Sequence, residues 1–169
     1  MTEQEFDIQV YPLKDKMYRL ALHLLANAED ARDAMMETLT RLWQKRESLH
    51  EYQSVEALAM SITRNFCLDR LKSKQSAVQR LVPGNDFIHQ ITPHDQLEVA
   101  DAMNFLEQVI SELPYQQKMV VHLRDVEGYE FQQIAELCGL TENNVKVTLS
   151  RARKKVSEEL KKIYSYGLK

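Results

Sequence analysis

Residues 141–156, TENNVKVTLSRARKKV, concentrate side chains that bind polyanions. Glu142 is the single acid among five bases, which gives a net charge of +4 in a chain whose total is -3: Lys146, Arg151, Arg153, Lys154 and Lys155. Lysine and arginine neutralise phosphates, and the amides of Asn143 and Asn144 can hydrogen-bond base edges. The residue types therefore favour a surface that contacts DNA.

The sequence around this stretch has the spacing of a helix-turn-helix. Ala135 supplies a small residue on the first helix, Gly139 lies at the turn, and Thr141 can cap the second helix. The second helix would bury an apolar stripe at helical spacing, Val145, Leu149, Ala152, Val156 and Leu160. An ordinary amphipathic helix with a solvated basic face is the alternative, but the agreement of glycine, cap and stripe favours DNA binding. The predicted contacts are Asn143, Asn144, Lys146, Val147, Ser150, Arg151, Arg153 and Lys154.

Helical spacing extends along most of the chain. Apolar residues recur every three or four positions from Phe6 to Leu24, with an interruption at Pro12, and Asn27 and Ser54 are predicted to cap the next two helices. Residues 77–96 carry two of the four prolines and no sustained period, which predicts a flexible linker. We expect an all-α protein of two small helical bundles, residues 1–76 and 97–169, with the helix-turn-helix in the second.

Several classes of function are disfavoured. No apolar run approaches the roughly 20 residues of a membrane span, and the acidic start MTEQEFDIQV does not resemble a signal peptide. We therefore expect a cytoplasmic protein without membrane insertion. Cys67 and Cys138 are expected to be buried free thiols, and His89 and His94 lack the spacing of metal ligands. Without a nucleophile or phosphate-binding motif, we expect no enzyme, no metal and no cofactor.

Three segments resemble one family. ELPYQQKMVVHLRDVEGYEFQQIAELCGLTENNVKVTLSRARKKV, residues 112–156, is similar to the C-terminal domain of bacterial RNA polymerase sigma factors of the extracytoplasmic-function (ECF) group. DARDAMMETLTRLWQKRESL, residues 30–49, resembles that family's polymerase-binding helix. SVEALAMSITRNFCLDRLKSK, residues 54–74, resembles its promoter-melting helix. The order of the segments along the chain is also that of the family.

The resemblance implies roles for individual residues. For the −35 element it adds Arg124 as a phosphate contact and places Lys146, Val147, Ser150 and Arg151 at reading positions. For the −10 element it implies Tyr52, Arg64, Asn65, Asp69, Arg70, Lys72 and Lys74, although Tyr52 is equally a candidate for an ordinary half-buried loop tyrosine. For polymerase binding it implies Asp33, Glu37, Arg41 and Trp43. Trp43 is also a candidate core residue, and Glu37 with Arg41 a candidate surface ion pair.

Besides Met36 and Thr148, which stand where a glutamine and an arginine are common, the chain departs from the family pattern at two places. Val147 stands where a serine is usual, so it can meet a thymine methyl group but cannot hydrogen-bond. Leu58, Met60 and Ser61, early in the segment that resembles the melting helix, replace an aromatic pair and an arginine. The second departure predicts weaker unassisted melting.

The resemblance implies a sigma factor that binds core RNA polymerase and promoter DNA, with an anti-sigma factor as a further partner. One alternative is a helix-turn-helix regulator that acts without polymerase docking, but it leaves the polymerase-binding pattern unexplained. A helical adaptor that binds only proteins is another. The charge of residues 141–156 argues against that class, because an adaptor needs no polyanion surface.

Overall fold

The computed structural model describes residues 1–81 and 99–166, so most of the expected linker, residues 77–96, lies outside them. The described residues form α-helices and short helical turns, without a strand, which confirms the all-α prediction. The helices are α1 (Glu3–Gln9), α2 (Lys14–Leu25), α3 (Ala28–Gln44), α4 (Val55–Leu81), α5 (Val99–Ser111), α6 (Tyr115–Val121), α7 (Phe131–Cys138) and α8 (Glu142–Tyr166). Helix α4 continues to Leu81, beyond the boundary expected at residue 76.

Proline and capping residues mark the helix boundaries in the first half of the chain. The chain breaks between α1 and α2 at a short 3₁₀ turn that contains Pro12, because proline lacks the N–H that a continuous helix needs. The Asn27 side chain accepts a hydrogen bond from the Asp30 N–H (2.9 Å), and Ser54 accepts one from the Ala57 N–H (3.1 Å). Both predicted caps are thereby confirmed.

Helix α2 lies at the centre of the first half and packs against α3 and α4. Its Met17, Leu20 and Leu24 are fully buried, and truncating such a side chain to alanine costs about 2–5 kcal/mol. Met60 of α4 is buried to the same degree. Met60, one of the departures from the family pattern, is therefore a core residue and not part of an exposed melting surface.

The second half is shaped by a turn before the helix-turn-helix. Pro114 is the N-cap of α6, and α6 leads into one π-helical turn, His122–Val126. Gly128 then adopts φ +74°, a left-handed conformation that glycine reaches without steric cost. The Tyr129 N–H donates to the Leu123 carbonyl (2.8 Å), which closes the turn and starts α7.

The two halves pack against each other through α2 with α6 and α4 with α7. One hydrophobic cluster includes Leu20 and Leu24 from the first half and Met119 and Leu123 from the second. We call this interface the seam. Its polar members are Arg19, His23, Glu56 and Arg64 on one side and Tyr115, His122, Glu127 and Tyr129 on the other, together with the Leu137 carbonyl.

Direct polar contacts cross the seam, and two of them are made by carboxylates. The Arg19 guanidinium binds both carboxylate oxygens of Glu127 (2.9 and 3.0 Å). The Tyr129 hydroxyl donates to Glu56, which also receives the Lys16 ammonium at 2.7 Å. Burial and the Glu56 carboxylate raise the pKa of Tyr129, so its hydroxyl stays a donor at neutral pH.

Both cysteines are free thiols in the described structure. Cys67 is buried and Cys138 half-buried, so the predicted full burial is correct only for Cys67. Burial raises the pKa of Cys67 to about 12 and that of Cys138 to about 11. Because the thiolate is the reactive form, both side chains are inert at neutral pH.

Candidate nucleic-acid and polymerase interfaces

Helices α7 and α8 form the predicted helix-turn-helix. Gly139 ends α7 in the left-handed conformation, φ +66°, and the Leu140 N–H donates to the carbonyl of the buried Ala135 (2.9 Å). The Thr141 hydroxyl accepts from the Asn144 N–H (3.1 Å) and caps α8. The predicted stripe of α8 packs inward; its first three members, Val145, Leu149 and Ala152, are fully or almost fully buried.

The opposite face of α8 is exposed, as a groove-reading helix requires. Seven of the eight contacts predicted on this helix lie on this face and form no ion pair shorter than 3.9 Å in the described structure: Asn143, Asn144, Lys146, Val147, Ser150, Arg151 and Lys154. Lys154 has only a long 3.9 Å approach to Glu158. The eighth, Arg153, binds both oxygens of the Asp125 carboxylate, and this pairing competes with a phosphate contact.

Phe131, the first residue of α7, was not identified from the sequence, and it underlies two predicted DNA contacts. The guanidinium carbon of Arg124 lies 4.6 Å from its ring centroid and the Lys146 ammonium nitrogen 5.3 Å. Both distances allow a cation–π interaction. The only signal in the sequence was an aromatic residue at the start of the first helix of the motif.

Arg124 is held from two sides. Its Nη1 donates to the Tyr129 carbonyl at 2.7 Å and approaches the Glu130 carboxylate at 3.2 Å. Together with the Phe131 ring, which Lys146 also approaches, these contacts fix a guanidinium beside the N-terminal part of the exposed face of α8. Such an arrangement can present a preformed charge to a DNA phosphate.

Two of the predicted −10 cations on α4, Arg70 and Lys74, bind the same carboxylate. Asp30, at the start of α3, is 7% exposed and receives the Arg70 guanidinium at 2.9 Å and the Lys74 ammonium. Lys74 and then Arg70 lower the pKa of Asp30. Lys72 and Asp69 are exposed and have no such partner in the described structure. Asp30 is the first residue of the segment that resembles the polymerase-binding helix. Its position in the sequence does not indicate that it binds side chains of α4.

Arg64 and Asn65, two of the predicted −10 contacts, lie at the edge of the seam. Arg64 donates to the Leu137 carbonyl and, through Nη2, to the Asn65 side-chain oxygen at 2.9 Å. The Tyr115 hydroxyl donates to the Arg64 carbonyl at 3.1 Å. The guanidinium of Arg64, a predicted DNA contact, is thus bound by a carbonyl of the second half of the same chain.

Tyr52 lies beside a surface cavity of about 440 Å³. The ring is 40% exposed, so it is neither buried nor fully solvated. Side chains from α1 and from the loop before α4 line the cavity: Met1, Glu5, Gln9, Leu49, His50, Tyr52, Gln53 and Val55. Glutamine and glutamate at such a wall can hydrogen-bond the edge of a base that stacks on the tyrosine.

The predicted polymerase contacts share one side of α3. Asp33 is exposed, and the Arg41 Nε donates to Glu37 at 2.8 Å, which confirms the surface ion pair. Trp43 is 38% exposed and packs edge-on against Phe6, with ring centroids 5.0 Å apart. Trp43 therefore belongs partly to the core and partly to the surface.

Comparisons with known proteins match both halves of the chain. The Sigma-70 region 2 family matches residues 12–77, and the Sigma-70, region 4 family matches residues 106–156. The RNA polymerase sigma factor SigV of Bacillus subtilis is 28% identical over 149 residues, which cover 88% of this chain and 87% of SigV. The ECF RNA polymerase sigma factor SigM of Mycobacterium tuberculosis (strain H37Rv) is 27% identical over 145 residues, 86% of this chain and 71% of SigM.

The chain belongs to the ECF group of RNA polymerase sigma factors. Among solved structures, the sigma factor RpoE of Bartonella quintana, in complex with the anti-sigma factor NepR, has a TM-score of 0.74 at 21% identity. That alignment covers 94% of this chain and 98% of RpoE. CnrH, in complex with the cytosolic domain of CnrY, has a TM-score of 0.69 at 18% identity, covering 95% of this chain and 90% of CnrH. Both support the all-α fold.

The sigma factor directs transcription from promoters as a DNA-recognition subunit of RNA polymerase, and it is not an enzyme. All residues predicted for the −10 element and for polymerase binding fall within the region 2 match, and all those predicted for the −35 element fall within the region 4 match. The regulator that acts without polymerase is therefore not favoured.

The described residues contain neither a candidate membrane-spanning helix nor a candidate metal-binding group. Among the helices in residues 1–81 and 99–166, none combines the length and apolarity needed to cross a bilayer. Within the same ranges no three His, Cys, Asp or Glu side chains are grouped to hold a metal ion. His89 and His94 lie outside the described residues.

Proposed function

We propose that the sigma factor reads the −35 element with α8, takes the opened −10 strand on α4, and docks on the polymerase through α3. The proposal assigns residues 1–76 to polymerase docking and −10 recognition, 77–96 to a linker and 97–169 to −35 recognition. The observation that carries it is the exposed polar row on α8, which stands opposite a buried stripe and is free to enter a groove.

The −35 contacts divide into two kinds by residue type. Asn143, Asn144 and Lys146 lie in the first turns of α8, the part of a recognition helix that reaches base edges. Arg124 and Lys154 are placed to neutralise phosphates at either end of that row. Val147 adds an apolar contact suited to a thymine methyl group.

The −10 contacts combine charge with a place for a base. Arg70 and Lys74 lie side by side because both bind Asp30, whereas Lys72, two residues from each, is exposed on another side of α4. Such a group suits the closely spaced phosphates of a single strand. The cavity beside Tyr52 would take a base extruded from the duplex, and contacts in the cavity must offset the few kcal/mol that extrusion costs.

We also propose an anti-sigma factor as a partner and the cytoplasm as the location. Two solved structures that resemble this fold, RpoE with NepR and CnrH with the cytosolic domain of CnrY, are complexes of that kind. Core RNA polymerase and promoter DNA, the partners that follow from the family, are found in the cytoplasm.

Run-off transcription tests the proposal directly. Purified bacterial core polymerase is supplied with promoter fragments from the source genome, with and without the sigma factor. Discrete starts that depend on the sigma factor are expected, and their upstream sequences define the −35 and −10 elements. Binding to polymerase without starts would contradict the −10 assignment, and loss of polymerase binding would contradict the role of α3.

Replacing Phe131 by leucine is expected to lower affinity for a −35 duplex about three- to tenfold. Leucine retains most of the apolar volume but loses the ring that supports Arg124 and Lys146, and a cation–π contact at an exposed site is worth about 0.5–1 kcal/mol. Fluorescence anisotropy on labelled duplex measures the change. Phe131→Tyr keeps the ring and should bind like the parent, so equal loss in both variants would contradict the role of the ring.

A further inference from the structure

Two histidines face each other across the seam. His23 of α2 and His122 of the π-helical turn have ring centroids 4.9 Å apart and planes inclined by 37°. His122 is 2% exposed, and His23 is half-buried. The side chains belong to different halves of the chain, so their contact exists only while the halves are packed together.

Three of the four ring nitrogens are buried without a hydrogen-bond partner in the described structure: Nε2 of His23 and both nitrogens of His122. The Glu127 carboxylate approaches His122 Nε2 at 3.4 Å, but it is aligned with the Arg19 guanidinium, which it binds through both oxygens. Unpaired buried nitrogens are unusual in proteins and call for a physical explanation.

Positive charges dominate the surroundings of the pair. Lys118 of α6 lies on the His23 side, and burial lowers the pKa of its ammonium. Arg19 and Lys16 of α2 lie on the Glu127 side. The acids are Glu127 itself, Asp15 beside Arg19, and Glu56 of α4, which Lys16 binds. Because Arg19 and Lys16 already bind Glu127 and Glu56, Glu127 offsets a new charge on His122 only in part.

We propose that the His23–His122 pair is a proton-sensitive latch, which keeps the two halves of the chain closed while both rings are neutral and releases them when a ring takes up a proton. An imidazolium at either position would be buried beside the second ring and near Arg19 or Lys118. The Glu127 carboxylate, which approaches His122, is already bound by Arg19. Separation of the halves places both rings in water, where the charge is solvated.

The direction of the pH dependence follows from the pKa values. Burial, and then the neighbouring His23, lower the pKa of His122 to about 4, with Glu127 opposing the change. Burial also lowers the pKa of His23, partly offset by the backbone of Lys118. In the open chain both rings titrate near their ordinary pKa of about 6.5. The open form therefore binds more protons between pH 6.5 and 4, and closure is strongest above that window and weakens as pH falls through it.

Opening bears on function because a closed chain cannot span a promoter. The −35 and −10 elements lie about 25 base pairs apart by their names, which is about 85 Å of B-DNA at roughly 3.4 Å per base pair. In the closed chain α4 contacts α7, and Arg64 of the −10 face binds the Leu137 carbonyl. This consequence rests on the proposed function, whereas the latch itself does not.

Small-angle scattering of the full chain between pH 7.5 and 5 tests the latch without promoter or polymerase. A closed chain of this length has a radius of gyration of about 15 Å, and the open fraction raises it. We expect the ratio of open to closed chain to rise about 10- to 30-fold between pH 6.5 and 5, since one proton contributes up to about tenfold per pH unit. Far-UV circular dichroism at each pH verifies that the helices remain folded.

Matched variants assign the effect to the pair. His23→Phe combined with His122→Phe keeps two stacked rings that cannot titrate, and it should stay compact throughout. His23→Gln alone retains His122, changes only the half-buried ring and should show a weaker dependence, which provides a test if the double variant does not fold. His50→Gln, at an exposed histidine outside the seam, should show the parent's pH dependence of the radius of gyration.

Two outcomes would overturn the latch. One is a radius of gyration that does not change with pH in the parent, and the other is an equal increase in the parent and the double phenylalanine variant. Neither outcome would bear on the run-off experiment, so failure of the latch and failure of the proposed function can be distinguished.

Discussion

Replacing Lys146 and Arg151 together by alanine is expected to lower affinity for a −35 duplex by about 100-fold or more. Each specific contact to a base edge is worth about 1–3 kcal/mol, and losses at separate positions add roughly. Both side chains are exposed on α8, so the free energy of unfolding should change by less than about 0.5 kcal/mol per substitution. Anisotropy titration at several salt concentrations measures both the affinity and its salt dependence.

Lys161→Ala provides a matched control, because Lys161 is exposed on the same helix, beyond the match to region 4, which ends at residue 156. Its loss should leave the preference for the −35 sequence over a scrambled duplex unchanged. If the double variant weakens binding to both duplexes equally, Lys146 and Arg151 contact phosphates only, and the assignment of base reading to them is wrong.

Exchanging the charges of Glu37 and Arg41 is expected to weaken binding to core polymerase by at least about 30-fold. The variant Glu37→Arg with Arg41→Glu keeps an ion pair four residues apart, worth only about 0.3–0.5 kcal/mol, but reverses each charge on the surface of α3. A like charge placed opposite a partner's charge costs several kcal/mol. Binding of labelled sigma factor to core polymerase measures the loss.

The single variants separate structure from docking. Each of them breaks the 2.8 Å ion pair, whereas the double variant restores it. If binding depended only on the pair's effect on α3, the double variant would recover affinity, and the coupling energy would be large. A double variant at least as weak as either single variant supports direct contact with polymerase.

Local features were predictable because each depends on residues close in sequence. Asn27, Ser54 and Thr141 cap their helices through contacts three residues away, Gly139 adopts the conformation that a turn requires, and Pro12 breaks a helix. The periodic stripe of α8 likewise indicated which face is free. The helix-turn-helix and its exposed row could therefore be derived before the fold was known.

Contacts between distant segments could not be derived in this way. Asp30 binds Arg70 and Lys74 across 40 or more residues, and Arg19 binds Glu127 across 108. Charges at such separations have no periodicity that a sequence could display, since the packing of whole helices decides which of them meet. For the same reason Met60 could be recognised as a departure from a family pattern but not as a core residue.

The seam has a consequence for the strength of any competitor. Its two sides belong to one polypeptide, joined through residues 82–98, and short connections produce effective concentrations in the millimolar range. An interface with an intrinsic dissociation constant of about 1 mM, or roughly 4 kcal/mol, would then keep the intact chain half closed. The same interface would go undetected between separated halves at micromolar concentration. A partner present at micromolar concentration must accordingly bind about a thousandfold more tightly than the halves bind each other, and a single cut within residues 82–98 would remove that requirement.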